Sequence, residues 1–231
     1  MRDKKRDELL EIYRLLRNRF GHRNWWPADS SFEVIIGAIL TQNVAWNNAS
    51  KAIDGLKRAN MLEPLALNER AAEEIAPLIK PSRFYNMKAM KIKNFMDFYY
   101  REYGGDLSVM SAESPAVLRK KLLAVKGLGQ ETADCILLYA CGMPIFVVDA
   151  YTKRILQRYG IFKKEPSYEE AQRYFTENLP RDIELYNDFH AQIVQLGNCV
   201  CKTRPLCGSC PIAAVNGSKC RFTITTVHRS E

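Results

Sequence analysis

Only one stretch of this chain, Ile145-Phe146-Val147-Val148, carries the β-branched run of a strand, and a sheet cannot be built from one strand. Elsewhere the apolar residues recur at helical spacing. Leu9, Leu10, Ile12, Tyr13, Leu16 and Phe20 form one apolar stripe, ended by Gly21. Phe32–Leu40 is apolar on most of its circumference, the mark of a buried helix, and Ser30 or Ser31 can cap it. Further helices are expected over 46–59, 69–79, 86–103, 115–124, 132–140, 150–159, 168–179 and 185–196. The fold class that follows is all-α, with 145–148 as a short extended linker.

With 231 residues the chain is long enough for one large domain or two small ones. Its 34 Lys+Arg against 26 Asp+Glu leave a net charge of +8, which favours a polyanionic partner. The excess is uneven. Lys80 to Lys126 holds ten basic and four acidic residues, whereas Met61 to Ile79 holds four Glu and one Arg. The N-terminal residues are charged throughout and lack the apolar core of a secretory signal. No apolar run approaches the roughly 18 residues of a membrane span. The expectation is a monomer without membrane contact, in the cytoplasm, and nucleoid-associated if the cell is prokaryotic. In such a reducing setting, clustered cysteines bind metal more often than they pair. Five of the seven cysteines fall between Cys199 and Cys220, while Cys135 and Cys141 read as packing residues.

The segment Val125-Lys126-Gly127-Leu128-Gly129-Gln130-Glu131-Thr132 joins two expected helices by a Gly-x-Gly turn. Glycine at both ends permits positive φ, and the amides at the next helix's N-terminus converge where a phosphate oxygen fits. Leu128 is expected to tuck inward. A plain helical hairpin turn is the alternative. Asp149 begins a later helix, where a simple N-cap explains it. A carboxylate held there can also stabilise a cation or position a water. All three tryptophans, Trp25, Trp26 and Trp46, fall in one short stretch with Pro27. They suit core packing or an aromatic pocket.

The order of these elements resembles the endonuclease III family, the helix-hairpin-helix superfamily of base-excision DNA glycosylases. Thr41-Gln42-Asn43 is followed by Arg83-Phe84-Tyr85-Asn86-Met87-Lys88, the Lys-Gly-Leu-Gly hairpin, Val-Val-Asp and a cysteine tail. The resemblance runs from about residue 10 to 222. It implies a six-helix barrel over 29–144, with the hairpin at about 122–140. A second helical domain follows from 1–28 plus 145–231, with the DNA groove between the two. It also implies that Asp149 is the catalytic aspartate and that Gln42 is wedged into the gap left by a flipped base. Asn43, Lys88, Lys126, Gly127, Leu128 and Gly129 are then expected at the DNA.

One position departs from the bifunctional members, whose Schiff-base lysine lies two residues after the second hairpin glycine. Here that residue is Glu131, and a carboxylate cannot form an iminium. A monofunctional glycosylase is expected, leaving an abasic site in double-stranded DNA for a downstream AP endonuclease. Trp25, Trp26, Pro27, Trp46 and Glu131 are expected around the base. Electron-rich rings favour a flat cationic base, by about 0.5–2 kcal/mol per contact. With Glu131, this pattern looks most like the 3-methyladenine branch, and so points to alkylated purines. The alternatives are deaminated or mismatched bases (uracil, thymine, hypoxanthine), a lyase-competent endonuclease, or a non-catalytic DNA-binding module. Finally, Cys201-x5-Cys207-x2-Cys210-x9-Cys220 resembles the family's [4Fe–4S] loop, within 199–220. Zinc is the main alternative metal, and Cys199 the alternative first ligand. Lys202, Arg204, Lys219 and Arg221 flank these cysteines and suit phosphate contact.

Overall fold

A computed structural model describes residues 2–213, 215 and 220. Twelve α-helices are found among them, and no strand. The chain divides into two compact units: Met1–Trp25 with Pro144–Glu231, and Trp26–Met143. Trp25 and Trp26 thus fall on opposite sides of the division.

The central unit starts with α2 (Ser31–Leu40), whose cap is Ser30: its hydroxyl accepts from Glu33 N at 3.1 Å. Nine of its ten residues are buried, as its apolar circumference requires. Next come α3 (Trp46–Arg58), α4 (Pro64–Glu69) and α5 (Ala72–Ile75). The single helix expected over 69–79 is therefore broken. Residues Ala76–Ser82 form a 3₁₀ turn instead, because Pro77 and Pro81 lack the amide that would continue an α-helix. This turn packs tightly on α3, where a Cβ on Gly55 would lie 2.2 Å from Leu78 O. The long α6 (Tyr85–Tyr103) buries Phe95, Phe98 and Tyr99 and ends at Gly104 in the left-handed region. The short α7 (Leu107–Ser111), which the apolar spacing does not announce, is capped by Asp106 accepting from Ser108 N at 2.8 Å.

Helices α8 (Pro115–Ala124) and α9 (Gln130–Cys135) flank the Gly-x-Gly turn. They are fastened by Arg119, whose Nε and Nη2 donate to both oxygens of the fully buried Asp134 at 2.6 and 3.0 Å. Beyond α9 the helix widens into a π-helical turn over Ile136–Ala140.

The terminal unit contains α1 (Arg2–Phe20), α10 (Ala150–Tyr159), α11 (Tyr168–Asn178) and α12 (Ile183–Cys199). Residues 144–149 form no helix or strand, and Phe146 among them is buried and stacks on Phe175 with centroids 3.9 Å apart. Leu9, Ile12 and Leu16 of the α1 stripe are buried in this unit's core, together with Phe175, Tyr186 and Phe189.

Candidate active site

The hairpin turn has the backbone its two glycines prepare, with one difference. Gly127 has φ +100°, which strains any L-residue, and its neighbour Leu128 is buried. Gly129 does not use positive φ. It sits at φ −97°, ψ 178° as the N-cap of α9, with no heavy atom within 4 Å of where a Cβ would stand. What glycine provides at 129 is an N-terminus with no side chain over it. Lys126 and Glu131 are exposed on either side.

Two side chains expected at DNA turn inward. Lys88 is 2% exposed, and its Nζ donates to Leu40 O at 2.7 Å and Ser82 O at 2.6 Å. Burial, with Lys91 nearby, pulls this ammonium down to about 8. The expectation of Lys88 at the DNA is corrected: it is a strut closing the ends of α2 and the 3₁₀ turn. Gln42 is half-buried, with Nε2 donating to Thr132 Oγ1 at 2.9 Å and to Gly127 O at 3.2 Å. Its neighbour Asn43 is exposed in the left-handed region, at φ 54°.

The tryptophans do not form an open parallel sandwich. Trp26 meets Trp46 edge to face, at 5.2 Å and 87°, and meets Tyr139 at 5.5 Å and 60°. Trp26 also covers Gly37, where a Cβ would lie 3.1 Å from the indole. A glycine within the apolar α2 thus has its reason in the indole laid over it. Trp25 is half-buried in the terminal unit, and Pro27 is exposed.

Asp149 is the N-cap of α10, and only 8% exposed. Its Oδ1 accepts from both Thr152 N and Thr152 Oγ1, each at 2.7 Å. The cap reading and a chemical role are compatible, because capping uses a single oxygen. On the other side, Oδ2 lies 4.0 Å from Nε2 of the buried His190. Burial pushes this imidazole below its ordinary range, opposed by the neighbouring Asp149, so His190 brings no positive charge at neutral pH.

Four thiols, Cys201, Cys207, Cys210 and Cys220, line one small cavity, with Ile155, Leu196, Val200 and Ile212 among its apolar walls. Burial, together with the three other cysteines, pushes the Cys210 thiol up to about 11. Among the described residues no three His, Cys, Asp or Glu side chains converge on a point fit for a single ion. Four thiols are a donor set that either an iron–sulfur cluster or zinc can take. Arg154 and Arg158 of α10 hold the loop. Arg154 donates to Gly197 O and Cys201 O, and Arg158 to Cys201 O, Lys202 O and Thr203 O. Cys199 is exposed outside the cavity lining, and Cys135 is buried. Lys219 and Arg221 lie outside the described residues, while Lys202 and Arg204 are exposed.

Some residues of interest escape sequence reading. Arg83 and Phe84 both have positive φ, at 55° and 44°, and Phe84 is 63% exposed. A strained, exposed aromatic is a functional signal, but no sequence rule reports φ for Phe. Tyr139 joins the indole cluster through the π-helical turn, and His190 reaches Asp149 across about forty residues of chain.

Comparison with known proteins agrees with this arrangement. Residues 36–181 match the family model of HhH-GPD superfamily base excision DNA repair proteins. MJ1434 of Methanocaldococcus jannaschii, provisionally named a DNA repair glycosylase, is 41% identical over 92% of this chain and 97% of its own. Endonuclease III of Thermotoga maritima is 30% identical over 87% of this chain and 88% of its own. Among solved structures, 3-methyladenine DNA glycosylase MagIII of H. pylori, bound to 1,N6-ethenoadenine, superposes with TM-score 0.72 at 27% identity. That match covers 83% of this chain and 96% of MagIII. On these matches the chain belongs to the HhH-GPD superfamily of base excision DNA repair glycosylases.

Proposed function

We propose that this protein is a monofunctional DNA glycosylase that hydrolyses the N-glycosidic bond of alkylated purines such as 3-methyladenine. The observation that carries the reading is the pairing of Glu131 with Asp149. Glu131 is exposed on the first turn of α9, at the place where bifunctional relatives carry a lysine nucleophile. Asp149 has one oxygen committed to its helix and the other left for chemistry. With no amine at that place, water is the nucleophile.

In this mechanism the hairpin amides grip the DNA backbone while the damaged nucleotide is extruded. A cationic purine is already a good leaving group, so the enzyme need only hold the base and stabilise oxocarbenium character. Asp149 Oδ2 does the latter electrostatically and orients the water. Gln42 fills the gap in the duplex, and the exposed Phe84 is a candidate second wedge. The indole cluster holds the base against one ring face, since Trp26 and Trp46 are perpendicular. The 3-methyladenine glycosylase activity of the H. pylori relative supports this substrate class.

Cys201, Cys207, Cys210 and Cys220 would hold a [4Fe–4S] cluster, which when bound supplies a rigid clip for the loop. Arg154 and Arg158 tie that loop to α10, the helix that presents Asp149. The abasic product is then a substrate for an AP endonuclease.

Single-turnover excision is the test, on duplexes carrying 3-methyladenine, 7-methylguanine, hypoxanthine, uracil, a thymine mismatch or an oxidised pyrimidine. Release of the methylated purines fastest, with no covalent borohydride trapping, is the expected result. Release of only oxidised pyrimidines, or a trapped adduct, overturns the reading. Neutral deaminated bases are the second reading, because perpendicular indoles offer a stacking face without enclosing a cation on both sides.

A further inference from the structure

Two consecutive carbonyls of the hairpin are held by amide side chains from outside it. Asn94 Nδ2 donates to Lys126 O at 2.9 Å, and Gln42 Nε2 donates to Gly127 O at 3.2 Å. Gln42 is itself fixed from two sides. Its Nε2 also donates to Thr132 Oγ1, and its Oε1 accepts from Lys91 Nζ. Lys91 does a second thing. Its stem crosses the turn so closely that a Cβ on Gly127 would lie 2.5 Å from Lys91 Cγ. Lys91 and Asn94 are three residues apart on α6, so one helix face addresses both peptide units.

The physical consequence follows from the planarity of the peptide. Its C=O and N–H point in opposite directions, so fixing the oxygens of Lys126 and Gly127 also fixes the amides of Gly127 and Leu128, the second on Val125 O at 3.1 Å, and with them the path of the turn into α9. A turn set in this way delivers the amides that open α9 in one place, and no ordering entropy is lost when the anion arrives. An unbraced glycine turn would lose it, since glycine is the residue with most freedom to lose.

We propose that Lys91 is a positioning residue for the hairpin: it locks the Gln42 amide and, with its stem, the Gly127 peptide, so that the DNA grip is set in advance. This rests on the reading of the hairpin as the grip on the DNA backbone. The ammonium of Lys91 is spent on Gln42, not on a phosphate. Moving Gln42 into the duplex breaks its bonds to Lys91, Gly127 and Thr132, so the wedge and the grip are linked through this one lysine.

Lys91→Met keeps the stem over Gly127 and removes the ammonium; Asn94→Ala removes the other brace and serves if the first variant melts early. Dissociation constants are measured for an undamaged and an abasic-site duplex across salt concentrations, with single-turnover excision at saturating protein. Either variant should weaken the undamaged duplex by about fivefold, the equivalent of one net hydrogen bond, and on the abasic duplex, where Gln42 leaves Lys91, Lys91→Met should cost less than Asn94→Ala. The loss should fall on affinity, with the excision rate at saturation retained. The slope of log affinity against log salt should stay that of the native protein. A slope shallower by about 0.9 would make Lys91 a direct phosphate ligand and overturn the proposal. Unchanged affinity in both variants overturns it too. Gly127→Ala, run in parallel, separates the two readings: if it leaves affinity intact, the hairpin is not the grip. If it weakens binding while the brace variants do not, the positioning role alone fails.

Discussion

Two helices begin twenty residues apart with nearly the same backbone and opposite chemistry. Helix α9 opens at Gly129 (φ −97°, ψ 178°) and α10 at Asp149 (φ −120°, ψ −176°), both extended as an N-cap should be. Gly129 is exposed and has no heavy atom within 4 Å of where a Cβ would stand, whereas Asp149 is buried and satisfies the Thr152 amide itself. The first N-terminus is left for an anion from outside. The second brings its own anion and keeps one oxygen over. In the function proposed here, the difference of a single side chain divides the labour between gripping and reacting.

Asp149→Asn strikes this contrast hardest. Asparagine is as good an N-cap as aspartate, so α10 keeps its start and the protein its fold. What is lost is the charge on Oδ2. Single-turnover excision should fall by about 10²–10⁴-fold with duplex affinity near native. An unchanged rate would leave Asp149 as a cap and nothing more.

The hairpin end depends instead on scaffold, and Arg119→Met tests that. Asp134 is fully buried, and Arg119 donates to both of its oxygens at 2.6 and 3.0 Å. Stranding that carboxylate should cost about 3–5 kcal/mol, read as a lower urea midpoint and Tm. The pair Arg119→Met with Asp134→Leu should recover most of the loss. If the single variant is neutral, the two hairpin helices are held by packing alone.

Much of this was legible in the sequence, for reasons that also mark where legibility stopped. The all-helical class followed from apolar spacing in residues such as Leu9, Ile12 and Leu16, which are buried. The hairpin glycines and the buried Leu128 were legible because turn chemistry is local. The break at 76–82 was signalled by Pro77 and Pro81 but masked by the surrounding apolar residues. Lys88 misled because a lysine in a basic stretch reads as exposed, and only the folded chain supplies the Leu40 and Ser82 carbonyls that bury it. The perpendicular indoles, the π-helical turn carrying Tyr139 and the His190 contact to Asp149 depend on tertiary placement that no spacing rule contains.

Gly129→Asp would turn the first N-terminus into a copy of the second. Nothing within 4 Å obstructs a Cβ there, and φ −97° suits any residue, so the fold should accept it. Aspartate is a better cap than glycine by only a few tenths of a kcal/mol, so Tm should hold or rise slightly. The new carboxylate competes for the amides and repels phosphate, and affinity for any duplex should drop by about tenfold. Gly129→Ala, without the charge, should lose much less. Equal losses in the two variants would mean that the turn is read by shape and not by charge.

The smallest effect concerns pH and belongs to α10 alone, because only its N-terminus is packed against a buried histidine. Burial holds His190 below the ordinary value of 6.5, against the pull of Asp149. Between that folded value and 6.5, the unfolded chain takes up a proton that the folded chain refuses. Stability from this site is therefore complete above pH 6.5 and is lost as pH falls from 6.5 through the folded value. His190→Leu removes the titrating group, so its Tm should decline less than that of the native protein between pH 7 and 5. Parallel declines would assign the acid sensitivity elsewhere. In that case the buried N-terminus of α10 would be as indifferent to mild acid as the exposed one of α9.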